Sequence, residues 1–110
     1  MSENVIVKGI DPTTSKQWID EGRAVLIDVR EIQEYDAENI PGATLVPLSQ
    51  FNPAQLPPEK DKIAIYHCRS GRRTADYFAL FQETGYADIF HMEGGIIAWR
   101  EAGLPTRSGG

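Results

Sequence analysis

Two stretches stand out in the apolar–polar pattern: "AVLIDV", with four consecutive apolar residues before Asp28, and "KIAIYH", Lys62 to His67. Continuous apolarity, rather than alternation, marks Ala24 to Val29 as a central strand covered on both faces. Helical patterns separate the strands. "IDPTTSKQWIDEG" reads as a helix with Asp11 as cap, Pro12 at the first helical position and Gly22 just past its end. A second helix is expected from Arg72 or Arg73 to Thr84, with Ala75, Phe78, Ala79, Leu80 and Phe81 at helical spacing and Gly85 as its stop. The last, "GGIIAWREAG", is entered through Gly94 and Gly95 and stopped by Gly103. Val5 to Val7, "IPGATLVPL" and "ADIFHME" supply further short strands. "REIQEYDAEN" is a short solvated helix or loop, and "SQFNPAQLPPEKD" an irregular surface connection. The alternation predicts one α/β domain over residues 1–110 with a largely parallel sheet. Residues 105–110 are expected as a solvated tail, with Gly109 and Gly110 frayed.

Composition narrows the function. At 110 residues the chain can bury roughly two-thirds of its unfolded surface, enough for a core without staples. Sixteen acidic against eleven basic residues leave a net charge of −5, so the overall field disfavours nucleic acid and anionic membranes. The start "MSENVIVKG" has no cationic, apolar leader pattern, and the longest apolar run is Tyr77 to Phe81, so no membrane partner is expected. One cysteine forms no internal disulfide, and two histidines without Cys-x-x-Cys spacing argue against a metal. A cytoplasmic, reducing setting is the expectation.

Three of the eleven basic residues, Arg69, Arg72 and Arg73, sit within five positions beside that cysteine, in "HCRSGRRT". A locally positive pocket on an acidic body suits a small anion. Cys68 falls where a strand ends and a helix follows, the place where open α/β sheets bind ligands. A thiol attacks only as thiolate, a form that helix N-termini and guanidinium groups favour. Ser70 and Gly71 permit a tight curl whose N–H groups point inward as a nest for a thiolate, a persulfide or an oxyanion. The loop by itself does not choose the element transferred.

Other polar residues are read as structural. His67 immediately precedes Cys68 on the strand, so the two side chains face opposite ways and His67 is scaffold rather than base. His91 lies in another strand with no partner visible in the sequence. Asp28 and Arg30 share a face at a strand end and are read as an anchor for neighbouring loops that supports the site. Trp99, with Ile96, belongs to the core.

These residues resemble the rhodanese family of single-domain sulfurtransferases along nearly the whole chain. "LIDVREIQEYDAENIPGATLVPL" is similar to the family's first signature, "KIAIYHCRSGRRTADYFALFQETGY" to its active-site strand, loop and helix, and "MEGGIIAW" to its closing motif. One departure is Glu38-Asn39, where many relatives have Gly-His before Ile-Pro-Gly-Ala; it leaves the local loop contacts open. The resemblance implies a three-layer fold with a five-stranded parallel sheet flanked by helices on both faces. It further implies a persulfide on Cys68, formed from a small anionic donor such as thiosulfate or from a persulfide donor, and passed to cyanide or a thiol. Amides of Arg69, Ser70, Gly71, Arg72 and Arg73 would cradle the sulfur, the arginine side chains would attract the donor, and Thr74, already inside the helix, would support the site. No metal or organic cofactor is implied.

With no second cysteine to resolve a persulfide, the acceptor must be an external thiol or a sulfur-acceptor protein. Two rivals remain. Tyrosine phosphatases use His-Cys-x5-Arg, whereas here Arg73 arrives one residue early, narrowing the ring for a tetrahedral phosphate or arsenate. A non-catalytic binding module of the same fold is the other.

Overall fold

The computed structural model describes residues 5–108. One sheet contains β1 (Gly9–Ile10), β2 (Ala24–Asp28), β3 (Thr44–Leu45), β4 (Ile63–His67) and β5 (Asp88–Met92). Its order is β1-β5-β4-β2-β3 and every pairing is parallel. The helices are α1 (Pro12–Asp20), α2 (Ile32–Ala37), α3 (Arg72–Asp76), α4 (Phe78–Phe81) and α5 (Gly95–Glu101), with two single 3₁₀ turns in the proline-punctuated connection. Parallel neighbours require crossovers, so every strand delivers its carboxyl end to the same side. Among the described residues no helix is long and apolar enough to cross a membrane.

The expected three layers are present. Strand alternation sends Ile27, Ala64, Tyr66 and Ile89 to one face, under Phe78 and Phe81 of α4. Leu26, Ile65, Met92 and Ile10 go to the other, under Ile96 and Trp99 of α5 and beside Trp18 and Ile19 of α1. β2 and β4 are central, as the apolar run at Ala24 to Val29 predicted. α1 starts as its sequence demands: the Asp11 carboxylate accepts the Thr14 N–H at 3.0 Å, and Pro12 occupies the first turn, where no amide is needed.

Two expectations need correction, and the exposed tail gains partners. The first strand is Gly9–Ile10, not Val5 to Val7, because its register opposite β5 begins at Gly9 with His91; Val5 to Val7 are exposed and unpaired. The helix expected through Thr84 is two pieces. Tyr77 (φ −103°, ψ 17°) leaves the helical region, after which Leu80 N–H bonds the Tyr77 carbonyl in a tighter turn. The break brings α4 down onto the sheet, where Phe81 stacks on Tyr66 at 4.1 Å and 5°. The tail beyond Pro105 is pinned as far as Arg107. Glu38 accepts from the Thr106 hydroxyl at 2.7 Å, and Asn39 exchanges backbone hydrogen bonds with Arg107 at 2.8 and 2.9 Å. The residues that depart from the family pattern therefore hold Thr106 and Arg107. Gly109 and Gly110 lie outside the described residues.

At the carboxyl end of β2 the buried Asp28 carboxylate receives the Arg30 guanidinium at 2.8 to 3.1 Å and the Arg30 backbone N–H at 2.9 Å. Arg30 also donates to the carbonyls of Glu34 and Glu38, 3.4 and 2.7 Å away, tying both ends of the α2 segment to the sheet. Removing one charge from such a buried pair strands the other. Asp28→Asn should therefore lower unfolding stability by about 3 kcal/mol, read as a drop in the urea midpoint; an unchanged midpoint would deny the pair its anchoring role.

Candidate active site

Cys68 follows β4 directly and, by alternation, points to the face of Ala64 and Tyr66, where it is 1% exposed. The backbone then curls. Gly71 adopts φ +91°, a left-handed conformation that glycine tolerates, and its N–H turns back to the Cys68 Sγ at 3.2 Å. It is the loop amide that reaches the sulfur itself. Thr74, buried in α3, places its Oγ1 3.7 Å from Sγ on the other side.

A second segment holds the loop in place. Ile96 and Ile97, at the start of α5, donate their N–H groups to the carbonyls of Cys68 and Arg69 at 3.0 and 3.2 Å. This approach leaves no room for a side chain at Gly95: a Cβ there would lie 2.4 Å from the Arg69 oxygen and 2.5 Å from that of Cys68. The paired glycines of "MEGG" are thus part of the cysteine loop's support, which the sequence alone presented as a helix start.

The arginines separate in role. Arg73 forms a two-bond fork with the Glu34 carboxylate, both contacts 2.8 Å, and so braces α2 instead of facing the sulfur. Arg72 projects into solvent, its side chain 85% exposed and 3.5 Å from Asp76. Arg69 is exposed and makes no ion pair among the described residues; Ser70 is exposed at the crest of the loop. Of the three guanidinium groups expected to draw in an anion, Arg73 is thus already paired with a carboxylate.

The histidines also divide. The register pairs His67 with Asp28, and alternation puts both on the face opposite Cys68. His67 is wholly buried with Nε2 3.6 Å from the Asp28 carboxylate; burial holds it below its ordinary pKa, opposed by Asp28, and it stays neutral. His91 had no visible partner in the sequence. Here it shares the Cys68 face with Ile89, and its Nδ1 lies 2.9 Å from the Thr74 hydroxyl. The available signal was parity along β5 combined with the β4–β5 register, which aligns Tyr66 with His91.

A cavity of about 470 Å³ opens at the opposite end of the sheet beside Ala24 and Thr44, away from the cysteine loop. Beside the loop lies a smaller groove of about 190 Å³, lined by Arg69, Glu34, Glu38, Ile96 and Arg100 among others. Of the cysteine loop, Arg69 lines this groove. Among the described residues no three His, Cys, Asp or Glu side chains gather as a metal cluster.

The family model of the rhodanese-like domain matches residues 11–102. The chain belongs to the rhodanese-like domain family. It is 33% identical over 93 residues to a sulfurtransferase of Allochromatium vinosum, covering 83% of this chain and 85% of that protein. It is also 39% identical over 101 residues to the probable adenylyltransferase/sulfurtransferase MoeZ of Mycobacterium tuberculosis, covering 87% of this chain. This rhodanese-like domain spans only 25% of MoeZ and 54% of another curated relative. In fold it is similar to a thiosulfate sulfurtransferase of Pseudomonas aeruginosa, with a TM-score of 0.79 at 23% identity, covering 94% of this chain and 21% of that one.

Two outcomes follow from this geometry. Gly95→Ala and Gly103→Ala both place a side chain at positive φ, +59° and +78°, but a Cβ on Gly103 meets nothing within 4 Å. Each should lose about 1 kcal/mol from backbone strain. Gly95→Ala should lose clearly more in urea unfolding and shift the amide resonances of Cys68 and Arg69; equal losses would remove the clamp. Second, the Arg73 fork holds the Glu34 carboxyl down to about 2. Its stabilisation, about 1 kcal/mol after solvent screening, is full above the ordinary carboxylate range and fades as pH falls towards 2. The stability gap between wild type and Glu34→Gln should therefore close on acidification; a pH-independent gap would contradict the ion pair.

Proposed function

We propose that the protein is a sulfurtransferase that carries one sulfur atom as a persulfide on Cys68. The observation that carries this reading is the placement of Sγ at the carboxyl end of β4, with the Gly71 N–H 3.2 Å away inside a loop that passes into α3 at Arg72. A ring ending one residue short of the phosphatase spacing suits a single sulfur better than a phosphate with three equatorial oxygens. Relatives that bear the name sulfurtransferase support the reaction class.

In the proposed first half-reaction the Cys68 thiolate attacks the outer sulfur of thiosulfate. A bond forms between Sγ and that sulfur, the bond to the sulfonate sulfur breaks, and sulfite leaves with the electron pair. In the second, an external thiolate or cyanide attacks the outer sulfur and Cys68 departs as thiolate. No further oxidant or reductant is required, and no cofactor other than the covalent persulfide. Loop amides stabilise the charge on sulfur through both steps, in the manner of an oxyanion hole. Arg69 and Arg72 supply the positive charge that draws in a small anionic donor. Since this chain has no second cysteine, the acceptor is an external thiol or a sulfur-acceptor protein, met in a reducing compartment such as the cytoplasm.

Incubating the protein with thiosulfate and measuring intact mass should reveal one added sulfur atom, absent in Cys68→Ser and removed by cyanide or a thiol. A protein that gains no sulfur would instead be a binding module. One that hydrolyses an aryl phosphate or reduces arsenate while ignoring thiosulfate would belong to the rival chemistry.

A further inference from the structure

The Thr74 hydroxyl stands at the meeting of three polar atoms: His91 Nδ1 at 2.9 Å, the Gly71 carbonyl at 3.3 Å and Cys68 Sγ at 3.7 Å. A hydroxyl has one proton and two lone pairs. The Gly71 oxygen can only accept, and a thiolate or persulfide sulfur also accepts. What Thr74 can offer the sulfur therefore depends on His91: with Nδ1 bare, two acceptors compete with the sulfur for the one proton, and with Nδ1 protonated only the Gly71 carbonyl does. In the protonated case His91 donates to Oγ1 and the hydroxyl proton can turn onto the sulfur.

The surroundings hold the ring in this position. His91 is 8% exposed on the central face of β5, paired in register with Tyr66, and the edge of its ring meets Phe78 with centroids 6.2 Å apart at 71°. Burial holds its pKa down against the opposing charge of Glu93, so the neutral ring carries one N–H. Neither the loop's own residues nor the arginines contact this nitrogen in the hydrogen bonds of the site.

We propose that His91 is a positioning residue for the chemistry of Cys68: its Nδ1–H donates to Thr74 Oγ1 and thereby directs the threonine proton onto the charged sulfur. No proton is transferred and no bond to sulfur is made or broken by this contact. His91 acts wholly through Thr74. The proposal rests on Cys68 reacting as a sulfur carrier, but its test need not.

Because Cys68 is the single cysteine, alkylation by iodoacetamide at neutral pH reads this sulfur alone. His91→Leu removes the donor; His91→Asn places an amide N–H near Nδ1, whereas His91→Gln places it near Nε2. Loss of one hydrogen bond to a charged sulfur should slow thiosulfate turnover about fivefold in kcat with KM little changed, and slow alkylation roughly threefold, since higher intrinsic reactivity partly offsets a smaller thiolate population. Asn should recover most of the rate and Gln little. In a Thr74→Val background His91→Leu should add nothing further. An equal loss in that background, or equal rates for Asn and Gln, would overturn the proposal, and the Asn–Gln pair decides it even if His91→Leu fails to fold. A wild-type protein that alkylates as expected but never takes sulfur from thiosulfate would defeat the sulfurtransferase reading while leaving the comparison among His91 variants valid.

Discussion

The cysteine loop depends on a backbone contact that no side chain makes. The carbonyls of Cys68 and Arg69 point at the first N–H groups of α5, and Gly95 keeps the two main chains close enough to bond. Left alone, those carbonyls would be free to rotate and the Gly71 amide would lose its aim at the sulfur. The contact joins the end of β4 to a helix that begins 28 residues later, so the loop is rigid only once the last strand and helix are in place. Gly71 belongs to the same packing: a Cβ on it would come within 2.9 Å of the Gly94 nitrogen. Two left-handed glycines from distant parts of the chain interlock behind one sulfur atom.

The electrostatics follow a similar division. Basic residues clustered in the sequence do not remain clustered in function, because acidic neighbours claim some of them. Glu34 takes Arg73, and Asp28 takes Arg30, whose remaining donors hold the α2 segment. The exposed Arg69 and Arg72 are left near the mouth of the loop on a chain of net charge −5.

Much of this architecture could be read from the sequence because it rests on local signals. The apolar runs at Ala24 to Val29 and Lys62 to His67 located β2 and β4, Asp11-Pro12 located the start of α1, and Cys68 was placed between a strand and a helix. What escaped depends on tertiary contacts. Helical periodicity continues through Tyr77, but the stacking of Phe81 on Tyr66 favours a break there. The polar tail "PTR" has every local mark of a free end, yet Glu38 and Asn39, far away in sequence, supply its partners. Arg73 is indistinguishable from Arg72 in the string and differs only in having Glu34 within reach.

The two histidines show the same limit from the other side. Adjacency made His67 conspicuous, but period-two alternation turns it to the opposite face, where it packs neutral against Asp28. His91 is 23 positions from Cys68 in sequence, yet the parallel register of β4 and β5 places it on the sulfur's face, and α3 interposes one hydroxyl between them. In a parallel sheet, functional proximity runs across strands at their carboxyl ends, not along them. A residue that shapes the reactivity of such a cysteine is therefore to be sought by register and parity on the neighbouring strand before it is sought beside the cysteine itself.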